Sequence, residues 1–330
     1  MCAACDRDRA HIRHVIPGRR RDETIPVGTA NGARDSMKIL LFGKGGQVGW
    51  ELQRSLAPLG DLVALDRTSQ GLCADLTDLD GIASTIRAVR PQVIVNTAAY
   101  TAVDRAESEP GLCETINSVA PEVMAAEAAR IGAWMVHYST DYVFDGSGSR
   151  PWTEDNAPAP INVYGRTKAE GERRLAAACA RHLIFRTSWV YADRGANFLR
   201  TMLRLAQERD HLSVVDDQWG APTGAALIAD VTAHALRSAV QQEGLSGLYH
   251  LTAQGETTWY GYARHLIATA QALGLPVKAT LRAIRSSAYP TAARRPHNSR
   301  LNNSKLEKAF GLQLPPWQPG VERVVASAGR

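Results

Sequence analysis

The stretch MKILLFGKGGQVGWELQ, residues 37–53, decides how this chain is read. Residues 38–42 form a short, mostly apolar run, the pattern of a central parallel strand covered on both faces. Gly43, Gly46 and Gly49 follow at three-residue intervals and lead into a helix. The first permits a tight turn, the second lets backbone N–H groups approach an anion without a Cβ in the way, and the third lets the helix pack close to the strand. The helix N-terminus adds partial positive charge. A dinucleotide's pyrophosphate fits such a turn.

Glycine triplets also mark plain strand-to-helix turns, so context carries the assignment. A second apolar run, residues 62–65, ends in Asp66, 20 residues beyond Gly46, where an acidic side chain meets the adenosine ribose hydroxyls. Arg67 comes next. Its guanidinium suits a 2′-phosphate or simply points into solvent, so NADPH and NADH both stay open.

The 330 residues, 45% of them hydrophobic, allow a sizeable core in one large or two modest domains. No apolar run reaches the roughly 18 residues of a membrane span, and no secretory signal follows Met1, so a cytoplasmic location is expected. The net charge of +5 is modest, and no basic stripe interleaved with aromatics marks a nucleic-acid surface. Cys2, Cys5, Cys73, Cys113 and Cys179 are odd in number and irregularly spaced, against a disulfide framework. Cys2 and Cys5, with His11 and His14, make a poor zinc pattern.

Residues 1–36 lack strand or helix periodicity and precede a second methionine abutting the first strand; a disordered extension is expected. Their five acidic residues disfavour a mitochondrial presequence. From Met37 strands and helices alternate, predicting an α/β fold: a Rossmann-type doubly wound parallel sheet with helices on both faces. Further strands are expected at 93–96, 134–139, 182–190 and 247–251, with crossover helices at 120–130 and 165–181. A dinucleotide-binding domain over 37–190, to which the 247–251 strand returns, and a mainly substrate-binding portion over 191–330 follow from the loosening of the alternation past 190.

Ligands of such sheets lie beyond the carboxyl ends of the strands. Tyr164 and Lys168 stand four residues apart at the start of a helix and so share a face. A neighbouring ammonium favours the phenolate, which predicts a Tyr164 pKa below its ordinary value near 10. The lysine can also hold a nicotinamide ribose. Thr140 ends the strand WMVHYST, where its hydroxyl can reach a carbonyl oxygen; Ser139 is the alternative hydroxyl, on the other face by strand alternation. Hydroxyl, phenol and lysine together describe a carbonyl reduction site.

The set GKGGQVG, HYSTDYVFDG, NVYGRTKAEGE and FRTSWVY resembles the extended short-chain dehydrogenase/reductases, and more narrowly the dTDP-4-dehydrorhamnose reductase family. The likeness runs from Met37 to about Val325, with DQWGAPTG, GLYHLTA, SAYPT and RPHNSRL in the second half. It implies Thr140, Tyr164 and Lys168 as the catalytic trio. It further implies Gly46, Gln47, Val48, Asp66, Asp75, Leu76, Ala99, Tyr100 and Thr101, besides Tyr164 and Lys168, around the cofactor, to which the turn itself adds Gly43 and the position after Asp66 adds Arg67. Thr140, Asp141 and Trp189 would contact the substrate, a dTDP-linked 4-keto-6-deoxy sugar. The expected reaction is hydride transfer from NADPH or NADH to dTDP-4-dehydro-L-rhamnose, with Trp189 offering an aromatic face to the sugar. Some members of the family are homodimers bridged by Mg2+ through glutamates. Glu51 matches one such position, but Ala226 stands where a second glutamate is expected, which weakens the case for a metal here. Residues 1–36 have no counterpart in the family pattern.

Two rival readings share parts of this pattern. Nucleotide-sugar epimerases and dehydratases use the same superfamily fold, but dehydratases place an acidic pair after the threonine, whereas Asp141 and Tyr142 follow Thr140 here. A non-catalytic regulatory subunit would not need the intact Thr140, Tyr164 and Lys168 set.

Overall fold

Six strands build the central sheet: β1 (Met37–Phe42), β2 (Gly60–Leu65), β3 (Val93–Asn96), β4 (Trp134–Thr140), β5 (His182–Thr187) and β6 (Gly247–His250). The structure is a computed structural model and describes residues 36–328. The strand order is β6-β5-β4-β3-β1-β2, with every pairing parallel. The expectations for residues 1–36, including Cys2 and Cys5, lie outside the described residues apart from Ser36.

Helices α1 (Gln47–Leu56), α2 (Leu79–Val89), α3 (Ala120–Ile131), α4 (Val163–Ala178), α5 (Phe198–Glu208), α6 (Ala225–Gln241), α7 (Trp259–Ala272), α8 (Ser304–Phe310) and α9 (Trp317–Ala328) follow in chain order. Alternation along β1 sends Ile39 and Leu41 to one face and Leu40 and Phe42 to the other, and all four are fully buried. The first pair packs with Leu52 and Leu56 of α1 and Ile228 and Leu236 of α6. The second packs with Ile82 and Ile86 of α2, Met124 of α3 and Leu175 of α4. Each such side chain contributes about 1.5–3 kcal/mol by leaving water, so covering both faces fixes the register of the whole sheet. Because α6 lies against α1, part of the chain beyond residue 190 covers the sheet rather than leaving it.

A third apolar cluster joins α5, α7 and α9 through Leu199, Leu203, Tyr262, Leu266, Trp317 and Val321. Beside it, His211–Val215 and Thr280–Ile284 pair in parallel as a separate two-stranded ribbon. The strand expected over 182–190 stops at Thr187. Trp189 has a left-handed φ of 49°, which ends the extended run, and Val190–Tyr191 pairs with Thr223–Gly224 instead of continuing in the main sheet. Strand order reverses between β1 and β3, the point at which sheets of this kind form their ligand crevice, beyond the carboxyl ends of the strands.

Candidate active site

At the crevice the chain leaves β1 through Gly43, whose φ of 91° and closeness to Thr97 require the absence of a side chain: a Cβ there would stand 2.5 Å from Thr97 Oγ1. Gly49 sits so close under the turn that a Cβ would meet the Gly43 carbonyl oxygen at 2.1 Å. Gly46 is the N-cap of α1 and supplies no side-chain hydrogen bond, so the first-turn N–H groups, those of Gln47 and Val48 among them, lack intrahelical partners. This cradle fits a pyrophosphate, as backbone donors at the positive end of a ten-residue helix. The Val48 side chain itself turns into the core, leaving only its backbone for a ligand. Gln47 accepts a hydrogen bond from Asn197 Nδ2 at 2.9 Å, which ties the 192–197 loop to the turn.

Asp66 lies beside the same turn, its Oδ2 3.5 Å from where a Cβ on Gly45 would stand, while its Oδ1 accepts from the backbone and hydroxyl of Thr68. Those bonds, the Thr68 hydroxyl's first, hold its carboxyl below the usual range, so it is ionised and ready to accept from ribose hydroxyls. Arg67 is exposed, and Asp75 caps the next turn through Thr77. The Asp75 carboxyl is lowered by its bonds to Thr77 and, more weakly, by the Arg67 charge. Leu76 is buried against the sheet.

Ala99, Tyr100 and Thr101 follow β3. Buried Asn117 pins this loop: its Oδ1 accepts from the Tyr100 N–H at 2.9 Å and its Nδ2 donates to the Tyr100 carbonyl at 3.1 Å. The same amide reaches Thr167 Oγ1 of α4 at 3.2 Å, so one residue ties the loop after β3 to the helix that carries Tyr164. That helix is fixed at its start by Asn162, whose Oδ1 caps Gly165 N at 2.7 Å, and by Glu107, which accepts from Val163 N at 2.8 Å. Gly165 lets it approach the Tyr142 carbonyl, where a Cβ would stand 2.1 Å away.

Thr140, Tyr164 and Lys168 converge at the ends of β4 and α4. Thr140 is buried, its hydroxyl donating to Asp141 Oδ1 at 3.1 Å and accepting from Tyr142 N. Tyr164 keeps partial exposure to the crevice and packs edge-on against Tyr142, ring centroids 5.6 Å apart. Its pKa is corrected by the structure. Desolvation pushes the phenol above its ordinary value, opposed by the nearby Thr140 hydroxyl, and Lys168 does not act as the expected depressor. Lys168 Nζ instead donates to the Tyr138 carbonyl at 2.6 Å and lies 3.1 Å from His137 Nε2. Burial lowers the lysine to about 8.

Around this trio, Ser139 Oγ and Thr187 Oγ1 are buried without a hydrogen-bond partner, and Asp141 Oδ2 has the Ser299 hydroxyl nearby but no well-formed bond to it. Unmatched polar atoms at adjoining strand ends fit a polar ligand in the crevice better than an apolar core. Burial pushes the Asp141 carboxyl up to about 7, with Ser299 and Thr140 opposing. Trp189 is only partly available: one face stacks on Trp259 at 3.7 Å, and Gly220 approaches the indole so closely that a Cβ would stand 2.6 Å from it. The expected platform for the sugar is therefore a braced indole, not a free one. Near Tyr164, Arg295 donates to the Tyr142 hydroxyl at 3.0 Å and to Asp104 at 2.7 Å. Glu51 pairs with Arg54 at 3.6 Å, and among the described residues no group of three His, Cys, Asp or Glu side chains has metal-binding spacing.

Sequence reasoning missed Asn96, Asn117, His137, Asn162 and Trp259. Asn162 was readable as a helix N-cap, and His137 stood out as a basic residue in an otherwise buried strand. The other three acquire meaning only from long-range contacts.

Fold and crevice together define a Rossmann-type nucleotide-dependent carbonyl reductase of the short-chain dehydrogenase class. The family model described as RmlD substrate binding domain matches residues 37–329, and the chain belongs to that family. It is 57% identical over 290 residues to the dTDP-4-dehydrorhamnose reductase of Escherichia coli K12, covering 88% of this chain and 97% of the relative. Among solved structures, the dTDP-4-dehydrorhamnose reductase of Clostridium acetobutylicum superposes with a TM-score of 0.81 at 32% identity, covering 89% of this chain and all of the other. The Bacillus anthracis reductase, solved in complex with NADP, superposes with a TM-score of 0.80 at 33% identity, covering 88% and 99%.

Proposed function

We infer that this protein is an NAD(P)H-dependent oxidoreductase that reduces dTDP-4-dehydro-L-rhamnose to dTDP-L-rhamnose, the last step of dTDP-L-rhamnose synthesis. The observation that carries the inference is the 57% identity to a reductase of that name over nearly its whole length. The convergence of Thr140, Tyr164 and Lys168 at one strand end supports it independently.

A bound reduced nicotinamide supplies the hydride. We assign the other roles to this chain's own residues: Thr140 donates to the substrate carbonyl and orients it, while Tyr164 protonates the oxygen as negative charge develops there. The phenol of Tyr164 is protonated at neutral pH, so the proton is in place to give, although burial makes it a weaker acid than a phenol in water. Lys168 is assigned to the nicotinamide ribose, and Gly43, Gly46, Gln47, Val48, Asp66, Arg67, Asp75, Leu76, Ala99, Tyr100 and Thr101 to the rest of the cofactor. Asp141 and the braced Trp189 are assigned to the sugar, with residues 191–330 contributing most of its pocket. Both cofactor and nucleotide sugar are cytoplasmic metabolites, and on that ground we place the enzyme there. Assembly as a homodimer is proposed on family resemblance and is checked by sedimentation.

The test couples an upstream dehydratase and epimerase to the purified protein and follows oxidation of NADPH with product analysis. Formation of dTDP-L-rhamnose is expected, and Tyr164→Phe should lower turnover by roughly 10²-fold or more with cofactor affinity little changed. Accumulation of the 4-keto sugar beside unconsumed NADPH would overturn the reading.

A further inference from the structure

Behind Lys168 lies a buried chain of three side chains that the reaction as described does not use. Asn96 of β3, His137 of β4 and Lys168 of α4 are each 1% exposed or less, and Asn96 and His137 are register partners across the sheet. Asn96 Oδ1 accepts from the Ala98 N–H at 3.0 Å, which fixes the orientation of the amide and leaves Nδ2 facing His137 Nδ1 at 3.3 Å. An amide nitrogen only donates, so Nδ1 is the acceptor of the ring. A neutral imidazole has one acceptor nitrogen and one N–H. The proton is therefore on Nε2, which stands 3.1 Å from Lys168 Nζ. An ammonium has no lone pair to receive it, whereas a neutral amine does, and that amine still donates to the Tyr138 carbonyl.

We propose that, in the protein without cofactor at alkaline pH, His137 donates from Nε2 to an uncharged Lys168 amine, so that Lys168 takes up a proton from solvent when the cofactor's ribose binds beside it. The proposal rests on the assignment of Lys168 to the ribose. His137 and Asn96 are positioning residues: they touch no reacting atom and act through the lysine.

The surroundings agree. Desolvation holds Lys168 at about 8 and pushes His137 well below its ordinary value, so the ring does not carry a second proton. On its own helix, Glu172 favours the ammonium, but its carboxylate is paired with buried Arg186 of β5 at 2.9 and 2.6 Å. Tyr164, one turn back, has a raised pKa and is neutral. Cys113, from the 110–114 turn, is raised by burial and is a neutral thiol. No unpaired carboxylate among these neighbours offsets the loss of the proton.

The sign follows from the lowered lysine. Binding that restores the ammonium draws in protons at pH values between the free protein's value near 8 and the ordinary lysine value of 10.5, and draws in few below pH 7. Titration calorimetry of the full chain with NADPH, in two buffers of different ionisation enthalpy, counts those protons directly. Roughly one proton per site is expected at about pH 9 and close to none at about pH 6.5. Asn96→Asp keeps the acceptor for Ala98 and offers its second oxygen to an Nδ1–H. That turns His137 to the other tautomer and lets Nε2 accept from an ammonium. Uptake at pH 9 should then fall toward zero, and the alkaline limb of kcat/KM should move up by about one unit or more. The wild-type count does not depend on whether that variant folds, and 15N shifts of the His137 ring give a second reading by reporting Nε2–H directly. Binding heats that do not depend on the buffer at pH 9, an unchanged count in Asn96→Asp, or an Nδ1–H ring each overturn the proposal. Absence of any NADPH binding would overturn the cofactor assignment instead.

Discussion

The glycine turn of residues 43–49 and the aromatic brace around Trp189 border the same crevice but are built on opposite principles. The turn works by lacking side chains: Gly49 and Gly43 bring backbone against backbone, and α1 presents bare N–H groups. The brace works by mass. Trp189 stacks on Trp259, which contacts Phe198 and Tyr262, and Tyr262 packs edge-on against Trp317. The turn is contiguous in sequence and tolerates no added atom at its tight points, whereas the brace collects rings from four separate segments. On the proposed roles, the backbone donors of the turn would hold the constant part of the cofactor and the stacked rings would face the sugar.

The largest expected effect breaks the turn. In Gly49→Ala the new Cβ meets the Gly43 carbonyl at 2.1 Å, a backbone atom that cannot move without distorting β1. A loss of about 3 kcal/mol or more is expected, with cofactor binding lost in any protein that folds. Gly45→Ala is the internal control, because its Cβ finds only Asp66 Oδ2 at 3.5 Å. Thermal melts with and without NADPH separate the two. If both variants melt alike, the turn is not held by close backbone contact.

A smaller effect tests the brace. Trp259→Ala removes the ring under Trp189 and leaves the glycine turn untouched. KM for the nucleotide sugar should rise roughly 10-fold, the scale of one lost aromatic contact, with the Kd for NADPH unchanged. An equal rise in both constants would show that the brace supports the whole crevice.

The same contrast explains what could be read from the amino acids. The central sheet was legible because each strand is a short apolar run, and β3 falls on its expected residues, 93–96. Tyr164 and Lys168 were legible because one helical turn places them together whatever the rest of the chain does. The state of Tyr164 was not. Its pKa depends on burial and on Lys168 turning toward His137 and Tyr138, which only the pairing of β4 with its neighbours decides. Trp189 was expected to offer a face to the sugar, but its partner Trp259 is 70 residues away and no spacing rule connects them. The break after Thr187 was missed because Ser188 and Trp189 are compatible with a strand, and the left-handed φ at Trp189 comes from its tertiary seat.

The smallest expected effect lies at the rim of the turn. Arg67 follows Asp66 and is exposed, and its charge reaches Asp75, so it stands at the ribose end of the cradle without being packed into it. A guanidinium there can pair with a 2′-phosphate, which NADPH carries and NADH lacks, but in solvent such a pair contributes only about 0.2–1 kcal/mol. Arg67→Ala should therefore raise KM for NADPH by roughly two- to fivefold and leave that for NADH unchanged. Screening supplies a second check. The wild-type preference for NADPH should shrink as salt is raised toward about 0.5 M, while the variant's cofactor ratio stays flat. Equal changes with both cofactors would remove Arg67 from the site and leave the other assigned residues, Asp66, Asp75 and Leu76 among them, to hold that part of the cofactor.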